Sequence, residues 1–273
     1  MALFGFFNFN KEGPGIEKDA PKKREFVVFF ETYFRNFWKF LPISIVYSLL
    51  ALPQLTSGLA NVGMTHVARN TARDKHSFGF SDFFETIKKN WKQALPAGII
   101  NTFVYIVLFF DVYFFHIQDT KFSLVGLGIT FSFLFIFTIM NYYMWTLIIT
   151  FNFKLKTVYK NSLKFVFINF WKNILCFLCL TALVAFFVLS GYVLLGILDK
   201  FFVFILVALL ILLILCYPGF KFLLIQYCVF PAIRKHIIDP YYEAHPDADI
   251  EKRRQLGVYD EEEKTEEQED LND

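Results

Sequence analysis

The sequence predicts an all-α fold: a polytopic transmembrane helical bundle of about five spans, with amphipathic cytoplasmic helices. Three observations carry that expectation. Of 273 residues, 56% are hydrophobic and only 19% are charged, whereas a soluble domain carries about 25% charge. Four apolar stretches are each long enough, at 1.5 Å rise per residue, to cross a hydrocarbon core of roughly 30 Å. Lysine and arginine gather in alternate connecting segments, the charge asymmetry of a multi-pass protein.

In chain order, residues 1–25 form a polar tail, 26–235 the transmembrane domain and 236–273 a cytoplasmic tail. The spans are expected at about 37–55, 94–117, 124–151, 174–198 and 202–233. The last fourteen residues hold nine of the 25 acids and one of the 27 bases, and the chain is expected to be acidic and disordered from about 258. The rest is strongly basic.

Six bases (Arg69, Arg73, Lys75, Lys88, Lys89, Lys92) follow the first apolar run, and residues 152–173 carry five lysines and no acid. The turns 118–123 and 199–201 have one base each, Lys121 and Lys200. The long basic segments and the C-terminus are therefore assigned to the cytoplasm. The N-terminus conflicts with this, because Lys11, Lys18, Lys22, Lys23, Arg24, Arg35 and Lys39 also ask to be inside, while a full first span would put them outside. Five full spans are favoured. The alternative is that residues 40–68, without Lys, Arg, Asp or Glu and interrupted by Pro53, Thr56 and Gly58, form a re-entrant hairpin with both ends inside.

Two basic segments read as amphipathic helices on the inner leaflet. In residues 154–172, Leu155, Tyr159, Leu163, Val166 and Phe170 recur at helical spacing, with Lys156, Lys160 and Lys164 on an adjacent strip. In residues 81–93, capped by Ser81 or Asp82, an apolar face of Phe84, Ile87 and Trp91 stands beside Lys88, Lys89 and Lys92. These six lysines are the candidate face for lipid headgroups or a partner. The anionic inner leaflet is the expected partner, and nucleic acid is not.

Polar groups inside the spans are the remaining candidates. Asp111 and Lys221 each fall near a water interface and are expected to snorkel to it. Counting rises along antiparallel neighbours puts Asn101 and Asn141 at similar heights. With Thr102, Thr138 and Tyr142 they form a candidate inner polar cluster, read first as packing between helices and second as a transport site.

Chemistry beyond this is not expected. Cys176 and Cys179 have CxxC spacing, but inside an apolar run with no charge to hold a thiolate. The histidines show no ligand spacing; Glu243, His245, Asp247 and Asp249 offer a divalent cation a loop, but the favoured reading has Pro246 and Asp247 or Asp249 start a short helix through Ile250 to Leu256. No phosphate loop, nucleophile elbow or dinucleotide fingerprint occurs, so no catalytic residue, metal or cofactor is assigned and an enzyme is not expected.

Several stretches resemble the YesL-like family of bacterial integral membrane proteins, a domain of unknown function. They are FGFFNFNKEGPGIEKDAPKKREF near the start, LPQLTSGLANVGMTHVARN from Leu52, SDFFETIKKNWKQ from Ser81, YKNSLKFVFINF from Tyr159 and FPAIRKHIIDPYYEAHPDADIEKRRQLG from Phe230. Pro53, Thr56 and Gly58 fit that family's turn, while Ser57 and Leu59 depart from it. The resemblance implies a bacterial plasma-membrane protein and an accessory or regulatory role in carbohydrate uptake, beside a transporter complex. The alternatives are a stand-alone permease and a structural or lipid-organising envelope protein.

Overall fold

The computed structural model describes residues 24–75, 77–118, 120–197 and 203–245. The N-terminal tail, the 199–201 turn and the acidic tail from about 258 lie outside the described residues, as do Asp247 and Asp249. What is described is helical: α1 (Glu25–Arg35), α2 (Phe37–Ala51), α3 (Ser57–Ala72), α4 (Phe80–Ile117), α5 (Lys121–Thr150), α6 (Leu155–Ile168), α7 (Phe170–Ile197) and α8 (Val203–Ile233). A π-helical turn at Arg234–Ile238 leads into α9 (Asp239–Ala244).

Four described helices, within α4, α5, α7 and α8, are long and apolar enough to cross a bilayer. The chain is a multi-pass membrane protein. The difference from the expected five spans lies at 37–55. There the helix is only 15 residues, α2, or roughly 22 Å. It turns at residues 52–56 and returns as α3. Tyr47 bonds to Asn61 and Lys39 to Thr71, so the two arms are antiparallel. The turn reaches α4 at Thr102, whose hydroxyl is 3.3 Å from the Gln54 carbonyl. Fifteen residues of α4 remain beyond that point, roughly 22 Å of helix. The start of α2, the end of α3 and the start of α4 thus share one end of the bundle, and Arg35 pairs with Asp74 there.

Burial divides the bundle along its length. In α5 every residue from Ile139 to Ile148 is buried, while Phe122, Leu124, Phe131 and Phe133 are exposed. In α4, Phe103, Ile106, Phe109, Phe110 and Phe114 face outward. Apolar side chains exposed over that height, on helices long enough to cross a bilayer, fit a lipid-facing surface. The helices converge instead at the basic end, where Arg69 bonds to Thr150 and the Arg73 guanidinium lies 4.8 Å from the Phe230 ring centroid.

Local chemistry explains the ends of these helices. A reciprocal capping box of Thr120 and Ser123 starts α5. The helix expected at 81–93 is not separate: it is the first part of the 38-residue α4, which runs on through Pro96, as membrane helices often tolerate proline. Its N-cap is Gly79, at φ +56°, not Ser81 or Asp82. The Asp82 carboxylate instead accepts from the Phe78 amide.

The amphipathic α6 also differs from expectation in the face it buries. Val158, Ser162, Phe165 and Val166 are buried, whereas Leu163 and Phe167 are exposed. Phe165 stacks on Tyr143 of α5 at 5.1 Å. The buried side of α6 is therefore taken by the bundle.

Candidate functional site

The turn between α2 and α3 contains groups that a membrane would penalise if left unbonded. Most find partners locally. The Thr56 hydroxyl donates to the Leu50 carbonyl, the Ser57 hydroxyl to the Gln54 carbonyl, and the Gln54 amide to the Ala51 carbonyl. Thr102 of α4 shares its proton between Gly98 O, at 2.9 Å, and Gln54 O. Gln54 itself takes a positive φ of 54°, a conformation rare outside glycine and asparagine. Yet the tip exposes Leu49, Leu52 and Leu55 and carries no charge.

Below this turn lies a polar cavity of about 300 Å³, walled by α2, α3, α4, α5 and α8. Asn101, Thr102, Thr138 and Asn141, the polar cluster read from the sequence, all line it. Asn101 Nδ2 donates to Asn141 Oδ1, and Asn141 Nδ2 to the Phe137 carbonyl at 2.8 Å. The Tyr105 hydroxyl lies 3.4 Å from that of Thr138. Of the turn residues singled out, Pro53 and Thr56 shape the turn without lining the cavity. Their neighbours Gln54 and Ser57 line it, and Gly58 packs on α4.

Sequence reasoning misses the rest of the wall. Tyr47 donates to Asn61 Oδ1 at 3.0 Å, and both line the cavity with Thr65 and Trp145, beside the expected Tyr142. The only signal for Tyr47, Asn61 and Thr65 is that they are polar positions in a run without formal charge. Lys221, expected near the inner interface, lies on the cavity wall, with Nζ 5.4 Å from the Phe222 ring centroid.

The cavity is tied to the basic end by α6. The Tyr159 hydroxyl donates to Asn101 Oδ1 at 2.8 Å, so one side chain of the lysine-bearing helix supports the amide pair. On α6, Lys156, Lys160 and Lys164 are exposed, as are Lys88, Lys89 and Lys92 on α4. Lys89 pairs with Glu85 one turn away, at 2.6 Å. A second network joins α5, α7 and α8: the Tyr143 hydroxyl donates to Asn173 Oδ1 at 2.7 Å and accepts from Asn169 Nδ2 at 3.1 Å, and Asn169 Nδ2 also donates to the Cys228 carbonyl at 3.1 Å. Among the described residues no group of His, Cys, Asp and Glu could hold a metal ion.

A family model described as a protein of unknown function, DUF624, matches residues 43–112. That segment holds most of α2, the turn, α3 and the wall-forming part of α4, and it includes the stretches beginning at Leu52 and Ser81 quoted above. No curated protein and no solved structure matches the chain.

Proposed function

We propose that this is a non-enzymatic, YesL-like membrane protein that binds a small polar solute in the cavity between the α2–α3 hairpin, α4, α5 and α8, and acts as a permease. The observation that carries the reading is the cavity itself: amides, hydroxyls and aromatic rings from five helices facing one space of about 300 Å³. Its volume is at the small end of ligand sites, which run about 300–1,000 Å³. We read α2–α3 as re-entrant from the cytoplasmic side. Its arms are too short to cross, its tip exposes leucines and its turn bonds its own polar groups. Broken helical elements near the midplane are where transporters place such sites. The test is flux of polar solutes into proteoliposomes containing this protein alone. Saturable uptake that falls when Asn61→Leu is introduced supports the reading, and absence of both binding and uptake removes it.

A second reading rests on the exposed lysines of α4 and α6. These would dock a carbohydrate transporter complex or anionic lipid at the cytoplasmic face of a bacterial plasma membrane. Recovery of a transporter subunit by co-purification, lost when Lys156, Lys160 and Lys164 become glutamine, would favour it over the permease.

A further inference from the structure

Among the described residues, Lys221 is the one formal charge on a cavity wall otherwise made of amides, hydroxyls, aromatic rings and apolar groups. Among the described residues no carboxylate pairs with it, and its ammonium meets the Phe222 ring. Asp111 lies nine residues beyond Thr102 in α4, roughly 13 Å along the helix, and is not on the wall. A cation kept inside a bundle without a counter-ion is costly, and the cost is removed by an anionic group bonded to it. A second wall residue is also unmatched. Thr65 is only 1% exposed, and its hydroxyl has no hydrogen-bond partner. Buried hydroxyls are ordinarily bonded.

We infer that the cavity takes a small hydroxylated solute bearing a carboxylate or phosphate, the anion meeting Lys221 and a polar group of the solute meeting Thr65. This rests on the solute-binding reading above and goes beyond it in naming the ligand's charge. The volume favours a soluble molecule of a few carbons over a phospholipid. Charge-assisted bonds to an ammonium give the anion its advantage over a neutral analogue of similar size.

The experiment is binding of gluconate, glycerol phosphate and neutral sorbitol, measured calorimetrically on the protein in phosphatidylcholine nanodiscs. At least one anion binds at least about tenfold more tightly than sorbitol, and Lys221→Met abolishes that advantage while Lys221→Arg keeps it. Methionine replaces a charge by an apolar chain of similar length, so the variant folds. Thr65→Val weakens binding without lowering the melting temperature, because the hydroxyl it removes is unbonded in the free protein. If sorbitol binds as tightly as the anions and Lys221→Met changes nothing, the charge inference is overturned while solute binding stands. If none of the three binds saturably, the solute-binding reading fails. If only added phosphatidylglycerol stabilises the protein, and Lys221→Met removes the effect, the cavity holds a lipid headgroup and the soluble-ligand inference is overturned.

Discussion

Gly58 and Gly98 bring the backbones of α3 and α4 into direct contact. A Cβ on Gly58 would lie 2.1 Å from the Ala94 carbonyl oxygen, and one on Gly98 would lie 2.7 Å from the Gly58 nitrogen. Both obstructions are backbone, so no side-chain rotation relieves them. The pair sets how closely the hairpin approaches α4, and therefore whether Thr102 reaches Gln54.

Gly98→Val is expected to force the two helices apart and lower stability by about 1–3 kcal/mol. A Cβ added to Gly128 of α5 would meet nothing within 4 Å, and Gly128→Ala should be neutral or gain up to about 1 kcal/mol. Thermal melting in detergent followed by size-exclusion chromatography reads both. Equal behaviour of the two variants would show that the contact is not structural.

The Asn101–Asn141 bond should appear as a coupling energy. Single Asn→Leu variants and the double variant form a cycle, and interhelical bonds of this kind contribute about 0.6 kcal/mol, rising to about 1.7. Tyr159→Phe, which removes the donor to Asn101 Oδ1, should lower the coupling as well as stability. Strict additivity of the two asparagine substitutions would contradict the geometry.

Labelling of single cysteines on a cysteine-free background tests the direction of the hairpin. Glu31→Cys and Phe78→Cys, at exposed positions before α2 and after α3, should react from one side of the membrane. Thr120→Cys, between α4 and α5, should react from the other. Reaction of Glu31→Cys and Thr120→Cys from the same side would make α2 part of a full crossing.

Replacing Lys156, Lys160 and Lys164 together by glutamine should leave the melting temperature unchanged, because all three are exposed on α6. Retention of phosphatidylglycerol should fall, at about 1 kcal/mol per lysine near an anionic surface. Native mass spectrometry with added salt measures this. Unchanged lipid retention would leave the basic face without a lipid role.

Parts of the site were legible in the sequence for physical reasons that can be named. Asn101 and Asn141 lie on helices joined by a short turn, and two antiparallel helices with a common origin keep their heights in register. Counting rises was enough to pair them. Tyr159 was legible only as an apolar-face residue of α6, because periodicity reports which side of a helix is buried and not what it is buried against. Its bond to Asn101 links residues 58 apart, a relation set by how the loop after α5 folds back.

What the sequence by itself determined is the apolar length of each membrane helix, the absence of charge through residues 40–68 and the gathering of lysines at one end. Hydrocarbon demands roughly 20 apolar residues per crossing, and composition carries that demand directly. The tertiary structure decided that α2 and α3 turn back beside Thr102, that Gly58 and Gly98 touch, and that Lys221 joins Tyr47, Asn61 and Thr65 around one cavity. Those relations depend on which helix faces which across the bundle. In a bilayer every apolar face is equally well solvated by lipid, so close backbone approach and hydrogen bonds, not hydrophobicity, choose the neighbours.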